Sequence, residues 1–186
     1  MTAKSPHPQK PKSTYTMNRV IAPFLAFFLM SALSMQAQDK TDRPSPPRSA
    51  TAETTAGEVT VDYSSPGVKG REIWGELVPY GEVWRTGANE ATTITLSSDM
   101  KVGGKTVPAG KYSLFTIPSE GEWTVILNSV WDQWGAYNYD PGKDVVRFQV
   151  RPKMVDESEE RLTFTVSERG VVTMAWEKLR LSFEVE

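Results

Sequence analysis

From Gly57 onward, apolar and polar positions alternate with a period of two, the spacing of strands that bury one face. Val59, Val61 and Tyr63 share a face, with Thr60 and Asp62 opposite. Ile94 and Leu96 alternate with Thr93 and Thr95, and Trp123, Val125 and Leu127 line up in the same way. Val146, Phe148 and Val150, then Leu162, Phe164 and Val166, then Leu179, Leu181, Phe183 and Val185 repeat the pattern. Residues 112–117 (YSLFTI) are apolar on both faces, which predicts a central strand. No long helical stripe interrupts this order. At most, single helical turns fit around residues 73–77 and 154–160.

Turn chemistry falls between these runs. Gly103-Gly104 separates two short β-prone segments and predicts a tight hairpin. Pro108-Ala109-Gly110, Pro118 to Gly121, Asp140-Pro141-Gly142 and Gly170 supply further turns. Short strands with turn signals throughout predict an all-β protein. The expected form is an antiparallel β-sandwich, jelly-roll-like or Ig-like, of roughly eight to ten strands.

The first 56 residues follow different rules. Residues 20–35 are uncharged and mostly apolar, Arg19 precedes them, and the small residues Ala32, Ser34 and Ala37 mark the exit of the run. This describes a secretory signal peptide over residues 1–37, cut after Ala37 or after Ser34. An uncleaved anchor needs about 20 apolar residues, and this run is shorter and contains Pro23. Met17 is an alternative start. The expected location is periplasmic or secreted, with no stable membrane span after cleavage. Residues 38–56 hold no aliphatic side chain larger than alanine and no aromatic, so they are expected to form a disordered spacer. The sandwich domain is then expected over residues 57–186.

Charge and composition narrow the chemistry. All acidic residues lie at or after Asp39, so the exported part carries 17 basic and 23 acidic residues, a net charge of −6. An acidic surface argues against nucleic acid as a partner. Cysteine is absent and the single histidine, His7, lies in the leader. No thiol nucleophile, thiolate metal site or histidine base is available to the domain. No cofactor, metal site or catalytic residue is assigned.

Two stretches break the alternation and mix rings with polar groups. The first, around residues 64–93, holds Arg71, Trp84, Arg85, Asn89 and Glu90; the second holds Trp131, Trp134, Tyr137 and Tyr139. Guanidinium, amide and carboxylate groups together recognise a polar ligand, and indole or phenol rings stack on the apolar face of a sugar. These nine residues are the candidate ligand-binding set. Arg85 and Glu90 are expected to give charge and direction, with Trp134 and Tyr137 as a stacking floor, where loops converge at one end of the sandwich. The structural alternative is an Arg85–Glu90 pair, Asn89 in a left-handed turn and the rings in the core. Trp74, Trp123 and Trp176 are assigned to the core. Asp132 and Asp140 show no calcium-loop spacing and read as turn carboxylates.

Several longer runs carry a family resemblance. They are Tyr63-Ser64-Ser65-Pro66, Gly70-Arg71, Pro79-Tyr80-Gly81, Val83 through Thr92, Pro108 through Phe115, and Trp134 through Tyr139. From Gly57 to the C-terminus the chain resembles the secreted bacterial proteins of domain-of-unknown-function family twenty-nine eleven. The resemblance implies export and a β-sandwich, and it implies no established activity. The function expected is a non-catalytic binding module for a glycan or other small polar molecule. The alternatives are a carboxylate-based glycan hydrolase, which needs two converging acids, and a structural partner in an envelope complex.

Overall fold

A computed structural model describes residues 42–186. The expected signal peptide, its cut site, Met17 as an alternative start and the first part of the spacer lie outside the described residues. Among the described residues ten strands form: β1 (Pro47–Thr54), β2 (Gly57–Ser64), β3 (Thr93–Leu96), β4 (Met100–Val102), β5 (Lys105–Val107), β6 (Gly110–Ile117), β7 (Trp123–Asn128), β8 (Asp144–Val150), β9 (Lys153–Val166) and β10 (Val171–Glu184). A short 3-10 turn, Pro141–Lys143, is capped by the Asp140 side chain. The all-β expectation holds. No helix among the described residues is long and apolar enough to cross a membrane.

One layer is a six-stranded antiparallel sheet in the order β1-β2-β3-β6-β7-β8. The other is the long β9–β10 hairpin, which the β4–β5 hairpin extends. Val102 bridges Val185, and the Lys101 and Glu186 backbones exchange hydrogen bonds. Gly103 and Gly104 have φ of 58° and 79°, the two positive values that a tight hairpin demands of its central residues. Between the layers lie Val59 and Val61 of β2, Ile94 and Leu96 of β3, Val125 and Leu127 of β7, and Leu162, Phe164, Leu181 and Phe183 of the opposing hairpin.

β10 explains a shift in the pattern. Val172, Met174 and Trp176 are buried at even positions, whereas Leu179, Leu181 and Phe183 are buried at odd ones. Register shifts on both sides of Glu177, whose φ is 52°, slip the alternation by one residue. A bulge thereby keeps both halves of one strand facing the same core.

Three expectations are corrected. Residues 47–54 are not spacer but the edge strand β1, fully paired with β2. Their small side chains bury little, and the backbone ladder supplies what apolar bulk does not; only Ala50 packs on the core. The domain therefore begins before Gly57. Residues 73–77 form a turn closed by Val78 N–H to Ile73 O (2.8 Å), and residues 154–160 are strand, so neither is helical.

Candidate functional site

β6 is apolar on both faces because the six-stranded sheet carries a second, smaller core on its outer face. Phe115 and Ile126 point away from the main core and are fully buried with Ala91, beneath Val83, Ile117, Ala136 and Tyr139. The cover is made by the two stretches that break alternation. They meet there, and not at one end of the sandwich as expected.

The first stretch continues the sheet. Trp84 pairs with Thr116 through backbone bonds of 2.8 and 3.0 Å, alongside the second half of β6. Period two then sorts its side chains. Trp84 faces inward and joins Trp74, Trp123 and Trp176, with ring centroids 5.0–6.5 Å apart. Val83 and Arg85 face outward. Trp84 accordingly packs against the core, and Trp123 and Trp176 are buried as expected.

The second stretch folds back along the first. Ala91 N–H donates to Gln133 O (3.0 Å), Gly135 N–H donates to Asn89 O (3.1 Å), and Glu90 and Trp134 form an isolated antiparallel bridge. Asn128, fully buried, fastens the base of this loop: its amide donates to Asp140 O and the Asp144 carboxylate, and its oxygen accepts from Val130 N–H. Asp140 is thus a turn and capping carboxylate. Among the described residues there is no cluster of three or more metal-ligating side chains.

Glu90 does not pair with Arg85 as the structural alternative supposed. Arg43, from the segment expected to be spacer, reaches both Glu90 oxygens at 3.0 and 2.9 Å and lies over the Trp134 ring, 5.9 Å from its centroid. Asn89 sits in a left-handed turn (φ 57°) and donates its amide to Ser45 O at 3.0 Å. Arg161 donates to Pro44 O and Ser65 O. Residues 43–45 form a strap that both loops and β9 grip.

Arg85 is differently placed. Its Nη1 lies 3.8 Å from where a Cβ on Gly135 would stand, and the Tyr137 ring lies 3.1 Å from the same point. Gly135, at φ 65°, is the close approach that lets the two meet. The Arg85 Nε is buried without a hydrogen-bond partner, and burial pushes its guanidinium down from the usual value.

Tyr139 belongs to the small core. Its ring meets Phe115 edge-on at 5.2 Å, and its hydroxyl donates to Asp144 and accepts from Arg147, both at 2.6 Å. Burial, then the Asp144 bond, raises its phenol pKa. Arg71 turns onto its own loop, donating to Gly67 O and Val68 O. Three rings remain in solvent: Trp131, Trp134 and Tyr137 are 46%, 53% and 83% exposed.

Beside Trp131 opens a cleft of about 560 Å³, floored by the polar outer face of β2, β3 and β6 and walled by β1 and residues 131–133. Asp62, Glu90, Lys111 and Asp132 line it, with the Thr93 and Gln133 side chains between them. Lys111 pairs with Asp62 at 3.2 Å and sits 5.2 Å from the Trp131 ring centroid. Asp62, Lys111 and Arg43 were missed from sequence. Each is an ordinary polar position of an alternating or extended segment, and only the fold reveals what it faces.

The family model described as "Protein of unknown function (DUF2911)" matches residues 45–185, almost all of the described part and including β1. No curated protein and no solved structure matches the chain.

Proposed function

We propose that this chain, which belongs to the DUF2911 family, is an exported binding module that holds a small polar ligand, such as a glycan, in the cleft beside Trp131. The observation that carries the reading is the convergence of both irregular stretches on one cleft. There a half-exposed indole stands next to a charge pair and a row of hydroxyl and amide groups. An indole face takes the C–H face of a sugar ring, while carboxylates and amides accept from and donate to its hydroxyls. A cleft of this size suits a ligand of one to three sugar rings. Export rests on the charge asymmetry and short apolar run of the leader.

A thermal-shift screen of neutral and charged saccharides tests the reading, followed by titration of the best binder into Trp131→Ala. Binding that disappears in the variant supports the cleft, and no shift from any saccharide defeats the glycan assignment. Three carboxylates in one cleft also favour a second reading, a glycan hydrolase. Asp62 and Glu90 are each held by a cation, an arrangement suited to accepting hydrogen bonds from a sugar. Release of reducing ends during incubation would decide for hydrolysis. Mass spectrometry of protein from the native host tests export, and an intact leader would overturn it.

A further inference from the structure

Arg85 differs from three cations near the loops. Arg43, Lys111 and Arg147 each pair with a carboxylate, at 2.9, 3.2 and 2.6 Å. No carboxylate among the described residues pairs with Arg85, although its Nε is fully buried. A guanidinium with its Nε shut off from water and no anion beside it is left partly unsatisfied, and its fork of five donors is built for a carboxylate or phosphate. A second observation lies directly beside it. Tyr137 packs against the same glycine yet leaves 83% of its surface in water, and Trp134, one residue before that glycine, is also half exposed. Neither ring is explained by core packing. Large rings held out on a loop, next to a cation lacking an acid, match a ligand with an apolar ring face and an acidic substituent.

We infer that Arg85, Tyr137 and Trp134 form a subsite for the acidic group of a saccharide: the Arg85 fork takes the oxyanion, and the two rings carry the sugar. The chain's own acidic surface makes this selective. With a net charge of −6 on the exported part, long-range attraction does not gather anions, so recognition depends on this one short-range contact. The inference rests on the binding reading above but concerns residues that do not line the cleft, and it adds charge specificity that the cleft alone does not supply.

Calorimetric titration of the mature protein with tri-galacturonic acid, its trimethyl ester and glucose 6-phosphate tests this. The acid is expected to bind at least tenfold more tightly than the ester. Arg85→Gln should bring the acid down to the level of the ester, Arg85→Lys should restore only part of the difference because the fork is lost, and Tyr137→Ala should weaken acid and ester alike. Circular dichroism checks that the variants fold, and should Arg85→Gln fail to fold, Arg85→Lys carries the comparison. Tighter binding of glucose 6-phosphate that also depends on Arg85 would support the anion site and assign it to phosphate. Equal affinity for acid and ester, unchanged in Arg85→Gln, overturns the inference and leaves the cleft reading intact. Absence of binding by all three, together with loss of every saccharide shift in the wider screen, overturns both.

Discussion

Two groups of tryptophan lie in similar stretches of sequence and meet opposite environments. Trp84 sits in a run rich in glycine and charge, as Trp131 and Trp134 do, yet it belongs with Trp74, Trp123 and Trp176, edge-on or stacked within 6.5 Å. Trp131 and Trp134 each sit against a cation with about half of their surface in water. Local composition is the same in both; strand parity differs. Trp84 is bridged to β6 at a position that points inward, and its neighbours Val83 and Arg85 necessarily point out. An aromatic residue in a polar run is therefore assigned by the strand it lies against, and not by the company it keeps in sequence.

Substitutions sharpen that contrast, beginning with a reference inside the core. Phe183→Asp places a charge on a buried face against Phe148 and is expected to cost about 4 kcal/mol or more, read by chemical denaturation. Trp84→Ala should cost about 3 kcal/mol, since it empties an aromatic slot among three other indoles. A loss no larger than that of Trp134→Ala would erase the distinction between the two groups.

Tyr139→Phe is expected to cost about 1 kcal/mol by removing one hydroxyl from the Asp144–Arg147 network. It also has a pH signature. The folded phenol titrates above its unfolded value of about 10, so wild type holds this contribution below pH 10 and loses it as pH rises through the folded value. The phenylalanine variant should show a flatter alkaline limb in its stability curve.

The smallest effects fall on the exposed group. Trp134→Ala and Arg43→Ala should each cost about 0.5–1 kcal/mol, with a coupling near 0.5 kcal/mol in a double-mutant cycle, the size of a partly exposed cation–ring contact. A loss of several kcal/mol for Trp134→Ala would move it to the core group.

What the sequence made legible follows the same physics. Alternation located β2, β3, β7, β8 and the second halves of β9 and β10, since each buries one face, but residues 154–160, the exposed first half of β9, gave no such signal. It misplaced β1, which packs only Ala50 on the core and is held by its ladder. It was silent on the phase change at Glu177, because a bulge leaves no compositional trace. Within the candidate set, the meeting of the two irregular stretches was legible, and so were the exposed Trp134 and Tyr137. Arg43 was not, since a single arginine in a Pro- and Ser-rich segment gains meaning only when the chain folds back 47 positions to Glu90. Arg71 shows the converse: an arginine between glycines that satisfies its own turn.

The edge strand has a further consequence, for solubility at high local concentration. A sheet edge is a template on which another chain can add a strand, and a flat apolar edge invites self-association. Were β2 the border, its buried valines, Val59 and Val61, would flank an open row of backbone donors and acceptors. β1 occupies that row with Pro47, Arg48 and Glu53 and with small or hydroxylated side chains elsewhere, leaving little for a second copy to grip. The strand that adds least to the core is the one that keeps crowded copies of this chain from growing into one another.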